Sequence, residues 1–318
     1  MRIAIFGATS QIAKDLVLSF TLERKHQLHL YARRPNALRQ WLSAIDQPGR
    51  HQVHGFAAFD DAEKFDAIIN FVGIGDPARG LAVGADIFEA TFQYDNLALN
   101  YQKKHADCRY VFLSSGAAYG TTFDEPVDTE TRACFAINNL QPTDWYAIAK
   151  LHAECRHRSQ PNLSIFDIRV FNYFSHTQDM SARFLITDIL RAIKTNATLQ
   201  TSSSNIYRDY IHPTDLYQLI SLLLDAPKAN MAVDCYSLAP VDKNGLLTTM
   251  QEKFGLKFKT AKLPISVNAT GYKQKYYSLC RRAADFGYKP EFTSLAGVLM
   301  ESEKALAQPN FWQAAHPI

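Results

Sequence analysis

The sequence predicts an α/β protein, a doubly wound parallel sheet with a smaller C-terminal lobe. Two patterns carry the expectation. Short apolar runs alternate with amphipathic stretches through the first half of the chain, and small or polar residues follow directly on those runs. A parallel sheet with helices on both faces produces the first pattern, and ligand sites at the carboxyl ends of its strands produce the second.

The elements follow in order. Ile3–Phe6 is an apolar run closed by Gly7, and Ile12–Leu22 carries apolar residues at helical spacing. Gln27–Tyr31 reads as a second strand and His51–Phe59 as a weaker third. Ala67–Val72 is a fully apolar strand, and Ile87–Lys104 a long amphipathic helix. Arg109–Leu113 is a strand running into Ser and Gly, Tyr146–Arg158 a helix, and Leu163–Val170 a strand. Beyond Asn172 the rhythm breaks into helices at Ala182–Lys194 and Thr214–Leu224, a polar loop at Thr201–Asn205 and a mixed tail. We expect residues 1–171 to form a dinucleotide-type domain that also receives part of 206–240, and 172–318 to form mainly a substrate lobe closing over the strand ends.

Composition narrows the function. A chain of 318 residues, 47% hydrophobic and 20% charged, can bury a large core and is not disordered. A net charge of +3 with no stripe of Lys or Arg leaves no field for nucleic acid. No apolar run reaches about 18 residues, so no membrane span is expected. The N-terminus lacks the zones of a signal peptide. Five scattered cysteines without a CxxC pair suggest neither zinc nor a disulfide framework, and a cytoplasmic setting is expected.

Gly7-Ala-Thr-Ser-Gln-Ile-Ala13 joins the first strand to the first helix, where backbone N–H groups hold a pyrophosphate in dinucleotide folds. Only one of the three fingerprint glycines is present; Ser10 and Ala13 are the small residues at the other positions. The second strand ends in Tyr31-Ala-Arg33-Arg34, where an acidic residue would select a free ribose 2′-OH. Two guanidiniums there suit a 2′-phosphate, so NADP(H) is favoured and NAD(H) is the alternative. The expected cofactor set is Gly7, Thr9, Ser10, Gln11, Ile12, Arg33, Arg34, Val72, Gly73 and Lys150.

Ser114-Ser115-Gly-Ala-Ala-Tyr119-Gly120 follows the fifth strand, and Tyr146 and Lys150 share one helix face. A lysine ammonium beside a tyrosine favours the phenolate. Such a tyrosine exchanges a proton with a substrate oxygen while a serine holds that oxygen. Ser115, Tyr146 and Lys150 are therefore the catalytic candidates.

With these motifs, the chain resembles the extended short-chain dehydrogenase/reductases, the NAD-dependent epimerase/dehydratase family of nucleotide-sugar enzymes. The likeness rests on the Gly7–Ala13 loop, Asn96, the Ser114–Gly120 turn, Tyr146-x-x-x-Lys150, Arg169-Val-Phe-Asn172 and Arg208-Asp-Tyr-Ile-His-Pro-Thr-Asp215. It implies a Rossmann domain with a sugar-nucleotide lobe. It implies Asn172 and Arg208 as substrate contacts, Arg208 on the diphosphate, and Asp215 as a structural member of its motif. Arg281 or Arg282 is a candidate second contact, and Ala117 lies on the substrate side. The family also implies a homodimer formed through the helices at 86–104 and 146–158.

The same resemblance narrows the reaction. Sugar 4,6-dehydratases of the family place an acidic pair after the catalytic Ser or Thr, and here Gly116 and Ala117 stand there. The acid/base cysteine of epimerases acting at C3 and C5 falls at Ala117. His176 is a candidate acid/base, with a solvated loop residue as the favoured reading. Reduction of a 4-keto nucleotide sugar with NADPH is the favoured reading. The alternatives are an NAD-dependent 4-epimerase and, from a different class, a cofactor-sensing regulator.

Overall fold

A computed structural model describes residues 1–47, 49–73, 83–261 and 273–308. Its centre is a seven-stranded parallel sheet formed by β1 (Arg2–Phe6), β2 (Gln27–Tyr31), β3 (Gln52–His54), β4 (Ala67–Asn70), β5 (Arg109–Ser115), β6 (Ile165–Val170) and β11 (Asn230–Asp234). The spatial order is β11-β6-β5-β4-β1-β2-β3. The chain builds outward from β1 through β2 to β3, then crosses to the other side of β1 for β4. That reversal opens a crevice at the carboxyl ends of β1 and β4.

The strands are apolar on both faces because both faces are covered. One face packs Ile3, Ile5, Leu28, Leu30 and Ile69 against α1 (Gln11–Glu23), α2 (Pro35–Ala44) and α6 (Pro213–Asp225). The other packs Phe6, Tyr31, Ile68, Tyr110 and Phe112 against α3 (Asp86–Lys104) and α4 (Trp145–Arg158). A separate core, with Ile186, Ile189, Leu190, Leu246, Leu247, Met250 and Val298, joins α5 (Leu185–Lys194), α7 (Lys243–Phe254) and α8 (Ser294–Ala307). Around it lie short ladders: β7 (Asn172–Tyr173) with β10 (Tyr210–Ile211), β9 (Tyr207–Arg208) between β12 (Val241–Asp242) and β14 (Lys275–Tyr276), and β8 (Thr198–Ser202) with β13 (Lys257–Ala261). The second-lobe span includes residues 262–272 and 309–318, which lie outside the described residues.

Three local readings change. The third strand is only Gln52–His54, and a 3₁₀ turn at Phe56–Ala58 replaces its continuation. The helix α2 was not legible: its apolar stripe of Leu38, Trp41 and Leu42 is little more than one turn long, and Pro35 starts it. Part of the polar stretch at 201–205 is strand, because β8 pairs with β13 in a two-stranded ladder that needs little apolar surface. Between them, α6 and β11 return the chain to the large sheet after the first small-lobe elements. Among the described residues no helix is long and apolar enough to cross a membrane.

Candidate active site

The β1–α1 turn closes tightly. Gly7 has φ +72°, and a Cβ there would stand 2.9 Å from the Val72 nitrogen. Only glycine accepts both the left-handed backbone and this approach to the end of β4. The N–H groups of Gly7 and Ala8 donate to the Tyr31 carbonyl at 3.0 and 3.1 Å. Ser10 caps α1, its Oγ accepting from the Ala13 N–H at 3.3 Å. Helix geometry then leaves the N–H groups of Gln11 and Ile12 without intrahelical acceptors at the positive end of α1. Thr9 is half-buried in the turn, and Ile12 packs on the core. The Gln11 side chain donates to Ser175 Oγ at 2.7 Å. Asp15, one turn on, accepts from the hydroxyls of Tyr173, Ser175 and Thr177, each at 2.7 Å. Burial pushes the Asp15 carboxyl up and these hydroxyls pull it down. Thus α1 is bound to the segment that follows β7.

Arg33 and Arg34 are exposed beyond β2, and neither has a carboxylate partner among the described residues. Past β4, the Val72 N–H donates to Asn70 Oδ1 at 2.8 Å. A Cβ on Gly73 would lie 3.2 Å from Lys150 Nζ, so the β4 end and α4 meet there.

Tyr146, Lys150 and Glu154 form one row on α4, facing the end of β5. Lys150 is 4% exposed. Its Nζ donates to the Leu113 carbonyl at 2.7 Å and lies 4.3 Å from the Phe112 ring centroid and 6.0 Å from that of Tyr146. Burial depresses Lys150 to about 8, against the upward pull of Asp95, Glu154 and Asp167. The spacing predicts that Lys150 pulls the Tyr146 phenol down. In the structure burial pushes that phenol up, and the neighbour drawing it down is the Ser115 hydroxyl. Ser115 Oγ accepts from the Ala117 N–H at 3.1 Å and stands 3.3 Å from the Tyr276 hydroxyl.

A buried ionic layer supports this cluster. Glu154 accepts from Ser114 Oγ at 2.5 Å and from Arg169 Nε at 3.0 and 3.1 Å. Deeper, His157 bridges Asp167 and Asp95, each at 2.6 Å. Asn96 accepts from Arg156 at 2.9 Å, on the side of α3 that faces α4.

Across the crevice, Asn172 donates to the Asp209 carbonyl at 3.4 Å. Arg208 Nη1 donates to the carbonyls of Tyr207 and Lys273, both at 2.7 Å. Asp209 and Asp215 do not pair with it: Asp209 accepts from Ser237 and Ser294, and Asp215 from the N–H groups of Glu291 and Phe292. Beside Arg208 lies Lys273, whose Nζ is 4.3 Å from the Tyr276 ring centroid. Burial, then the Arg208 charge, lowers Lys273 to about 8. Two desolvated cations without a carboxylate partner among the described residues make a corner whose charge suits an anion.

Other expected contacts lie elsewhere. Arg281 donates to the Ser278 carbonyl at 2.8 Å and covers the Tyr236 ring, so it is committed to its own loop. Arg282 is exposed. Ala117 is buried, with its N–H given to Ser115. His176 is not a solvated loop residue: its Nδ1 lies 2.6 Å from Glu301 Oε2, and its N–H donates to the same oxygen at 2.8 Å. A Cβ on Gly116 would stand 2.4 Å from the Phe171 ring, so this position has no room for an acidic side chain. Sequence reasoning missed Tyr276, Lys273 and Asp15. None sits in a motif, and only Asp15, one turn after the nucleotide loop, had a positional signal.

The sequence profile of the NAD dependent epimerase/dehydratase family matches residues 3–239. No curated protein matches the sequence significantly. Among solved structures, dTDP-glucose 4,6-dehydratase from Bacillus anthracis in complex with NAD aligns with TM-score 0.80 at 15% identity, covering 99% of this chain and 100% of that one. UDP-glucose 4-epimerase from Bifidobacterium longum in complex with NAD+ and UDP aligns with TM-score 0.76 at 17% identity, over 98% and 100%. UDP-glucuronic acid 4-epimerase from Bacillus cereus aligns with TM-score 0.76 at 13% identity, over 96% and 99%. At these identities the likeness establishes the fold, a Rossmann-type sheet with a second lobe.

Proposed function

The chain belongs to the NAD dependent epimerase/dehydratase family, and from that membership we propose that it is an NADP(H)-linked oxidoreductase of a nucleotide-diphosphate sugar, reducing a 4-keto group. The observation that carries the reading is the meeting of Ser115, Tyr146 and Lys150 at the end of β5, beside a position 116 closed to any acid. These residues suit proton exchange at one sugar oxygen and offer no group for eliminating water.

The crevice fits a dinucleotide. The glycine turn abuts β4, the first turn of α1 presents free N–H groups, and Arg33 and Arg34 extend beyond β2. A bound nicotinamide would supply the hydride to the carbonyl carbon. Tyr146 gives its proton to the carbonyl oxygen, Ser115 holds that oxygen, and Lys150 keeps a positive charge behind the site. Arg208 and Lys273 hold the diphosphate, and Asn172, whose amide reaches the carbonyl of the residue after Arg208, contacts the substrate beside them. Arg33 and Arg34 select the 2′-phosphate.

A second reading is a 4-epimerase with retained NAD. The observation favouring it is the shared fold with the Bifidobacterium longum enzyme, which was solved with NAD+ and UDP. We further propose a cytoplasmic homodimer through α3 and α4. Their outer face shows Phe92, 40% exposed, stacked with His152 and covered by the Arg156 guanidinium.

Turnover separates the readings. The protein is incubated with NADPH or NADH and a panel of 4-keto UDP, dTDP, GDP and CDP sugars. Stoichiometric NADPH oxidation with formation of the 4-hydroxy sugar is expected. Interconversion of nucleotide hexoses without net cofactor oxidation would replace reduction with epimerisation.

A further inference from the structure

We propose that Tyr276 is a positioning residue that directs the single proton of Ser115 towards Tyr146, a role resting on the reading of Ser115 and Tyr146 given above. Tyr276 belongs to the second lobe. It lies on β14, in register with Arg208 on β9. Its ring is fixed on several sides. Phe123 meets it edge-on at 4.7 Å and Phe171 at 5.1 Å, while Lys273 and Arg208 lie 4.3 and 5.9 Å from its centroid. The residue is 7% exposed. Its hydroxyl therefore stands at one place, 3.3 Å from Ser115 Oγ.

A serine hydroxyl has one proton and two lone pairs. The Ala117 N–H occupies one lone pair of Ser115. Burial pushes the Tyr276 phenol well above its ordinary range, so at neutral pH it remains an O–H and can donate. Donation from Tyr276 occupies the second lone pair. The Ser115 proton is then left for the side of the crevice on which Tyr146 stands: in the free protein it favours the Tyr146 phenolate, and with substrate bound it meets the carbonyl oxygen there. Without the Tyr276 hydroxyl, the Ser115 hydroxyl can rotate and turn its proton away.

The charged and titratable groups around this chain of hydroxyls are few. Lys150 and Glu154 lie along α4, Asp95 on α3 and Asp167 on β6 act on Lys150, and Arg208 and Lys273 face the Tyr276 ring. Tyr276→Phe leaves all of them in place and keeps the ring contacts.

The test reads Tyr146 directly in the full-length protein. The ultraviolet titration of its phenolate is taken as the difference between the protein with Tyr146 and the Tyr146→Phe variant. The same difference is then measured in the Tyr276→Phe background. Loss of one ordinary hydrogen bond predicts a phenolate fraction at fixed pH that falls about 3- to 10-fold. With substrate, kcat falls by a similar factor, while KM, dinucleotide affinity and the alkaline limb set by Lys150 hold. In a Ser115→Ala background, Tyr276→Phe should change the Tyr146 titration no further, because the relay is already cut. An unchanged titration in the single variant overturns the proposal. So does an undiminished effect in the Ser115→Ala background. A shifted titration in a protein that turns over no nucleotide sugar upholds the Tyr276 role and refutes the proposed function.

Discussion

Raising the pH from about 6.5 to about 9 should remove a measurable part of this protein's stability, and one buried histidine is the reason. His157 is fully buried on α4, with Nδ1 2.6 Å from Asp167 Oδ1 and Nε2 2.6 Å from Asp95 Oδ1. Both ring nitrogens face acceptors, so both carry protons and the ring is an imidazolium. Burial alone would push it down; Asp167 and Asp95 outweigh burial and hold it up at about 9, from 6.5. The outer oxygens of the two carboxylates take Arg156 at 2.5 Å and Arg158 at 2.6 Å. A folded-state value above the unfolded one means stability that is complete below about 6.5 and lost as pH rises through about 9. The gap corresponds to roughly 3 kcal/mol. Lys150 and Lys273, both lowered to about 8, act in the opposite sense above that pH, because the unfolded chain holds their protons longer. The assay is therefore a difference: urea unfolding of the wild type and of His157→Gln at both ends of the window. At the acidic end the variant should be about 3–5 kcal/mol less stable, since it strands two buried carboxylates. The difference should shrink by roughly 3 kcal/mol towards the alkaline end. A difference that is the same at both ends would refute a charged His157.

The remaining predictions concern the site and its face. Tyr146→Phe should retain dinucleotide affinity and lower turnover by about 10²-fold or more; steady-state rates and cofactor titration check both. Turnover should fall as pH rises through about 8, where Lys150 loses its proton, and Glu154→Gln should move that decline to lower pH because the Glu154 charge raises Lys150. An unmoved alkaline limb would separate Lys150 from Glu154. Arg33→Ala combined with Arg34→Ala should weaken NADPH binding about tenfold or more and leave NADH nearly unchanged. Tighter binding of NADH than NADPH by the wild type would favour the epimerase. Sedimentation should show a dimer at about micromolar concentration, the usual range of a specific interface, and Phe92→Asp should dissociate it.

The sequence by itself determined the sheet and the alignment of Tyr146 with Lys150. Apolar runs such as Ile3–Phe6 and Arg109–Leu113 have one stable placement, inside a sheet covered on both faces. Tyr146 and Lys150 share a face through helix periodicity alone, and Gly7 is required wherever a left-handed turn opens on a strand end. These properties are local, or repeat along the chain, so a single sequence displays them. Tertiary structure decided whatever depends on segments far apart in the chain. It paired His176 with Glu301, 125 residues away, where the sequence suggested a solvated loop. It set Lys273 beside Arg208, 65 residues away, and gave Arg281 to its own loop. It brought Tyr276 to Ser115 across 161 positions and transferred the pull on Tyr146 from Lys150 to that serine. Burial and proximity fix proton affinities and hydroxyl directions, and both exist only once the second lobe has folded over the strand ends.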